Sequence, residues 1–594
     1  MRATRTIRLI TALVAASLAG APAFAADPSK VLRIALPQAE TGFDPVQASE
    51  VYSSAVIAAI MEPLLTFDYL ARPAKLVPLT AVALPEVAQS GRRFTFHLNK
   101  GIRFAADPAF KGRARELTVY DYVYAIKRLV DPRNRSPNAF YVEDKILGLR
   151  ELAADAKKNG DRFDYDAPVA GLQALDRYTL RITLKHSDYT FPQVMALPSL
   201  SPVAREVVEA YGSEIAAHPV GTGPYTLAKW VPASKMILHA NPAYRGFTWN
   251  FDAGDDAADK GIAARMRGKK MPQVGTIEIS VMEEAQSSWL AFQRGELDIL
   301  NVNATFAPIA LPNDRLAPDL AKRGVTLSRI LLPMVSYSAF NMRDPVIGGF
   351  AKEKIALRRA IAMAYDTDAE VRIIRKGQAA PAQMVIPPGV TGHDPRYRSS
   401  LRHDPQAANE LLDRFGYTRG RDGYRTLPDG RPLTVTYSSQ NTATAREFDE
   451  LWQRAFDSIG IRMNVDKGKL SDQIRAAIAC KHQLWTYGWI ADYPDGDNFM
   501  QLLYGGNVGQ SNVACYRSPK FDALYEKSRL LPDSPDRDTL YEQMSRQFEA
   551  DTPWRLGTIR YQNSLVQPNV IGYKPHPVLL ADWMYVDVEK KKKP

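Results

Sequence analysis

"LTVTYSSQNTATAREFDELWQRAFDSIGIRMNV", Leu433 to Val465, is the stretch that decides the fold class. Its β-branched start reads as a strand, and a loop and a long helix follow. Gly460 breaks the helix, and the last residues read as a second strand. Strand, helix and strand in that order form a βαβ unit. "TIEISVMEEAQSSWLAFQRGELDIL", Thr276 to Leu300, reads the same way with its turn at Gly295. Two such stretches predict an α/β protein of two halves with a binding crevice between them.

Working outward, Val31 to Leu36, Phe94 to Leu98, Asp176 to Leu184 and Ser336 to Met342 read as strands. Ala48 to Leu65 has helical spacing. Leu117 to Pro132 predicts an amphipathic helix capped by Thr118 and ended by Asp131-Pro132. Ile355 to Ile374 reads as one helix, and Ser518 to Leu531 and Arg537 to Thr552 as two more. Pro219, Gly221, Gly223 and Pro224 mark a sharp backbone passage. The proline and the strand-like run after GTG exclude a phosphate loop opening a helix. Phe247 to Met271 is polar and charge-mixed, and is expected to be an exposed insertion loop.

The ends fix the expected compartment. Arg2, Arg5 and Arg8 precede a short apolar run, and Ala23-Phe24-Ala25 is an A-x-A cleavage site. The run is too short to span a bilayer, so residues 1–25 read as a signal peptide cut near Ala25/Ala26. No cysteine follows the run, which excludes a lipoprotein start, and the product is expected in a bacterial periplasm. The formal charge of +11 is mostly terminal. Three signal arginines and the four lysines Lys590 to Lys593 account for seven charges, leaving +4 on the body. That is a poor nucleic-acid footprint. The remaining length, roughly 570 residues, is too much for one core and implies at least two domains. Two cysteines, Cys480 and Cys515, and eight scattered histidines offer no metal-ligand spacing. An even cysteine count in an exported protein suggests a disulfide, which spacing alone leaves open.

The cysteines bracket "LWTYGWIADYPDGDNF", Leu484 to Phe499, where the rings Trp485, Tyr487, Trp489 and Tyr493 stand beside the acids Asp492, Asp495 and Asp497. Asp495-Gly496-Asp497 lacks the alternating ligands and the distant glutamate of a calcium loop. Asp495 and Asp497 are expected to cap a helix starting near Asn498. Asp492, coming off an aromatic strand and ahead of a proline, is the acid expected to face a crevice. No nucleophile elbow, zinc helix, Walker loop or dinucleotide fingerprint is present, so no cofactor is expected.

Several segments together resemble one family. They are "FHLNKGIRF" (Phe96–Phe104), "LTVYDYVYAIKRLVDP" (Leu117–Pro132), "PVGTGPYTLAKW" (Pro219–Trp230) with "NPAYRG" after it, and "AFQRGELDIL" (Ala291–Leu300). "LRRAIAMAYD" (Leu357–Asp366) and "WIADYPDGDNF" (Trp489–Phe499) with "YRSPKFDALY" complete the set. Their order and spacing, over nearly the whole chain, resemble the extracytoplasmic solute-binding proteins of ABC importers, family 5, the dipeptide- and oligopeptide-binding family.

The resemblance implies a large α/β periplasmic binding protein of the three-lobed type. Lobe I would span 26–330 with an inserted subdomain at roughly 66–190. Lobe II would span 331–553, and 554–594 would return to lobe I and end in the basic tail. Hinges would lie at Ser328–Val335 and Pro553–Thr558. It further implies that Asp492, in Trp489-Ile490-Ala491-Asp492, holds a peptide's α-ammonium. Tyr487, Gly488 and Trp489 would offer main-chain bonds and aromatic walls, and Ser49 to Val51 the facing edge. The residue meeting a ligand carboxylate stays open among Arg446, His482 and Arg343. The implied role is a monomeric, non-enzymatic carrier of short peptides that delivers to a membrane permease with its ATPase. Non-peptide cargo (an oligosaccharide, opine, haem or metal chelate) is the alternative. An exported hydrolase using Asp492 with Asp495 or Asp497, and a periplasmic chaperone or scaffold, are the rival classes.

Overall fold

The computed structural model describes residues 26–589, so the signal segment and Lys590 to Lys593 lie outside the described residues. The first large sheet runs in the order Asp27–Leu36, Val274–Val281, Lys235–Ala240, Tyr225–Val231. The first two strands are parallel, with Ile34 opposite Ile279. Leu32, Ile34 and Leu36 alternate into the core, as a period of two requires. Helix Val51–Ile60 packs close by, and the glycine passage explains how. A Cβ on Gly221 would stand 2.0 Å from the Ile60 carbonyl oxygen, and one on Gly223 2.7 Å from the same oxygen. Gly223 instead donates its N–H to that oxygen at 2.8 Å. Only glycine permits this docking of the helix end, and the docking aims the other end of the helix at the site described below.

The second large sheet has the order Arg462–Gly468, Thr434–Gln440, Leu484–Ile490, Met334–Phe340, Trp554–Leu556. Thr434–Gln440 and Arg462–Gly468 are parallel around helix Ala443–Ser458, so Leu433 to Val465 is a βαβ unit. Thr442 caps that helix by accepting from Ala445 N–H, and Leu451, Trp452, Ala455 and Phe456 bury its inner face.

The other predicted unit divides differently. Val274–Val281 lies in the first sheet, but Ile299–Asn301 pairs with Thr558–Val566 in a third sheet. Buried Asp298 accepts from Arg33 N–H at 2.8 Å, and its own N–H donates to the Arg33 carbonyl. That clamp holds the turn against the first strand and sends the next strand out of its sheet. The third sheet contains Ile299–Asn301, Thr558–Val566 and Thr326–Leu331, with Ala379–Pro381 also on Thr558–Val566. The chain passes between the third and second sheets at Leu332-Pro333 and again at Gly557. There Gly557 N–H donates to the Ser336 carbonyl and leaves no space for a side chain beside Ser336 Oγ.

A four-stranded sheet, Glu86–Ala88, Arg93–His97, Thr179–Thr183, Leu172–Ala174, stands apart in sequence between 86 and 183. It is accompanied by helix Val119–Val130, where Thr118 N–H donates to Asp121 in a capping box.

Two expectations are corrected. Phe247 to Met271 is not an exposed loop: strands Phe247–Thr248 and Lys270–Met271 pair around helix Ala257–Met266. Trp249, Met266 and Met271 are fully buried, and the Trp249 ring N–H reaches the Tyr585 carbonyl. These anchors have no helical or strand spacing, so pattern reading misses them. Ile355 to Ile374 is not one helix. Helix Lys352–Ala364 stops at Tyr365, and Asp366 caps a second turn at Thr367–Ala369 that runs into a π-helical turn, Glu370–Ile374. Buried Tyr365 breaks the helix because its hydroxyl turns to Glu370.

Candidate ligand-binding site

Strand Leu484–Ile490 pairs antiparallel with Met334–Phe340, placing Trp489 opposite Val335, Gly488 opposite Ser336 and Tyr487 opposite Tyr337. Trp485 and Tyr487, two apart and so on one face, stack with ring centroids 4.7 Å apart. The strand ends at Ile490, and Ala491 N–H still reaches the Pro333 carbonyl. Asp492 follows immediately.

Asp492 is fixed by a residue the sequence reading did not single out. Asn498 donates its side-chain N–H to Asp492 Oδ2 at 2.9 Å, and its carbonyl accepts from Asp492 N–H at 3.1 Å and from the Trp489 ring N–H at 2.9 Å. The signal was available only as an amide one short turn after the acid. Tyr141, from the unit containing the four-stranded sheet, lines the cavity beside the same carboxylate, and its hydroxyl favours the ionised form. Burial pushes the Asp492 carboxyl up to about 6, and the Asn498 amide and the Tyr141 hydroxyl offset only part of that. No Lys, Arg or His among the described residues pairs with it.

The accessible surface Asp492 retains faces a cavity of about 150 Å³. Ser49 and Val51 stand on the cavity wall with Asp492 and Tyr141, as do Ile490 and Leu197. Ser49 and Val51 sit at the start of helix Val51–Ile60, where the Glu50 carboxylate accepts from Tyr52 and Ser53 N–H. Asn138 holds the preceding loop by donating to the Ala48 carbonyl at 2.7 Å. Thus Asp492, Ser49 and Val51, far apart in sequence, share one cavity. Tyr487, Gly488 and Trp489 lie half-buried on the adjoining strand and do not line it.

The neighbouring acids have other work. Asp495 is buried in a two-pronged ion pair with Arg537, at 2.9 and 2.6 Å, and also accepts from the Tyr541 hydroxyl. Asp497 accepts from the hydroxyls of Tyr493 and Tyr525, both at 2.8 Å. Asp495 Oδ1 does accept Asp497 N–H at the start of the short helix Asp497–Met500, but the ion pair is its main engagement. Neither acid is available beside Asp492 for two-sided acid–base chemistry. Of the three residues considered for a ligand carboxylate, His482 is held by Ser438 and the Gln473 carbonyl, and none of the three lines the cavity.

Cys480 and Cys515 are bridged, with Cα atoms 6.0 Å apart. The bridge closes a loop that contains the aromatic strand, Asp492 and Asn498. Among the described residues no helix is long and apolar enough to cross a membrane.

The model of the bacterial extracellular solute-binding proteins, family 5 (middle region) matches residues 75–511. The chain belongs to this family, whose members are solute-binding proteins of ABC importers and not enzymes. It is 25% identical to di/tripeptide-binding protein 2 of Pseudomonas aeruginosa, over 99% of this chain and 100% of that protein. It is 24% identical to heme-binding protein A of Haemophilus influenzae, over 85% of this chain and 83% of that one. Among solved structures it resembles the periplasmic binding protein DppA of Helicobacter pylori in complex with peptide STSA. That match has a TM-score of 0.71 at 21% identity and covers 94% of this chain and 98% of that one. The α/β fold is therefore that of the periplasmic binding proteins.

Proposed function

We propose that this protein captures short peptides between two lobes and delivers them to an inner-membrane permease driven by a separate ATPase. The observation that carries the reading is Asp492: an enclosed carboxylate, held by Asn498 beside Tyr141, facing a cavity and lacking a basic partner. Such a group is costly alone and is relieved by a cationic partner. A peptide's α-ammonium fits, because a charge-assisted bond in a low-dielectric crevice is strong. The names of several relatives, di/tripeptide-binding protein 2 among them, support peptide cargo.

Lobe I would take 26–330 with the subdomain near 66–190; lobe II, expected over 331–553, would extend to Leu556, and the remainder would return to lobe I. Membership of Trp554–Leu556 in the second sheet favours placing the second crossing at Gly557. Closure about the two crossings would bury the ligand, and only its differential contacts with the closed form shift the population. Residues 1–25 would direct export and be removed near Ala25/Ala26.

Calorimetric titration with dialanine and with N-acetyl-dialanine tests the reading. Dialanine should bind, and the acetylated form and the Asp492→Asn variant should each lose about tenfold or more in affinity. Equal binding of the two probes removes Asp492 from the role. The recovered probe should be intact, which separates a carrier from a hydrolase.

A further inference from the structure

Resting on the reading that two lobes close over a solute at Asp492, we propose that Asp188 and Arg529 form a latch between the inserted subdomain and lobe II, one that holds the closed form and slows release of the solute. Neither residue lines the cavity at Asp492. The latch therefore governs how long cargo stays and leaves the choice of cargo to the cavity. Among the described residues, Asp188–Arg529 is the one ion pair that joins 26–330 to 331–556.

Asp188 is built into its own unit. It follows strand Thr179–Thr183, and its N–H donates to the Gly91 carbonyl. Its carboxylate accepts from Thr190 N–H at 3.1 Å, from the Thr190 hydroxyl at 2.6 Å and from Lys145 Nζ at 2.9 Å. These partners all lie between 91 and 190, so they travel with Asp188 when the lobes part. Arg529, the last residue of helix Pro519–Arg529, reaches the same carboxylate at 3.2 Å from the other unit. Asp188 is its only hydrogen-bond acceptor among the described residues, and its Nε is buried with none. Opening the crevice takes from Arg529 the one acceptor it has, while Asp188 keeps its other donors.

Charge and burial decide the sign. Taking two ions out of water together can cost more than their attraction returns. Here the Asp188 side chain is 1% exposed, and the donors of its own unit already replace water around it, so closure mainly desolvates Arg529. Asp497, which accepts from the Tyr525 hydroxyl one turn before Arg529, adds a second negative charge acting on the guanidinium. Lys145 and Arg529 thus stand against two carboxylates, and the charge-assisted bond favours the shut arrangement. The same seam continues through Gln193, whose amide donates to Asp495 at 3.5 Å, and through Tyr141 beside Asp492. Asp495 and Asp497, next to Asp492 in sequence yet turned away from its cavity, therefore belong to the seam on which the subdomain closes.

The test compares wild type, Arg529→Gln, Arg529→Lys and Lys145→Gln by the rate of dialanine release in stopped flow, followed by tryptophan fluorescence. Arg529→Gln should release dialanine about tenfold faster, with the association rate changed less than about twofold, because the latch acts after capture. Arg529→Lys keeps the charge and should release close to the wild-type rate. Lys145→Gln breaks only the pair inside the subdomain and should release no faster than wild type. Equal release from wild type and Arg529→Gln overturns the latch. So does release from Lys145→Gln as fast as from Arg529→Gln, which would mark a loosened subdomain instead. In both cases the peptide reading stands, since dialanine has bound. Should dialanine bind none of the proteins, the peptide reading falls, and small-angle X-ray scattering of the ligand-free proteins decides the latch. A larger radius of gyration in Arg529→Gln than in wild type then upholds it, and identical profiles overturn it.

Discussion

Asp492→Asn should make the empty protein more stable while making it useless as a carrier of amines. A carboxyl with its midpoint at about 6 instead of the ordinary 3.8 carries a penalty of about 3 kcal/mol when ionised. Contact with the cavity screens part of this, so about 2 kcal/mol is expected at pH 7.5. Asparagine keeps the shape, and its carbonyl can still accept from Asn498. The sign follows from linkage. The folded-state value is raised, so below about 4 both states are protonated and the two proteins should be equal. The wild-type penalty grows as pH rises and is complete above about 6. Urea unfolding of ligand-free wild type and variant from pH 4 to pH 8 reads the difference directly. A variant less stable at every pH, or a difference independent of pH, refutes the picture of an enclosed carboxylate awaiting a cation. Ligand binding should follow the same group with the opposite benefit. An ammonium selects the ionised form, so affinity should fall about tenfold between pH 7.5 and pH 5.

Three further outcomes follow from the surroundings of Asp492. Asn498→Ala removes the amide that orients both Asp492 and Trp489 and should cost about 1–3 kcal/mol in unfolding free energy, with weaker binding of dialanine by calorimetry. Replacing both cysteines by serine opens a loop of 35 residues' separation and should lower unfolding free energy by about 4 kcal/mol on the chain-entropy model, measured in denaturant. Arg537→Gln leaves Asp495 buried without its cation and should cost about 3–5 kcal/mol, seen as a large drop in melting temperature.

The parts of this molecule legible in the sequence are those where local pattern and tertiary role agree. Leu433 to Val465 forms its βαβ unit because strand, cap, helix and glycine all point the same way. Gly221 and Gly223 were readable as a sharp passage, but their purpose, the approach to Ile60, exists only in three dimensions. Thr276 to Leu300 has the same local pattern as the true unit and yet splits between sheets, because the Asp298–Arg33 clamp is a long-range contact. At the site, the aromatic run and Asp492 stood out as residue types. Asn498 and Tyr141 did not, since an asparagine or tyrosine becomes informative only when a partner is placed beside it.

The most direct measurement is the mass of the cargo. The mature protein, purified gently from a periplasm, is denatured and the released small molecules are weighed by mass spectrometry, since closure as proposed would slow release and carry cargo through purification. The account predicts intact short peptides, each with a free amino terminus and a free carboxyl group. A single non-peptide mass, such as haem or a sugar without an amine, would contradict the claim that Asp492 holds a peptide ammonium.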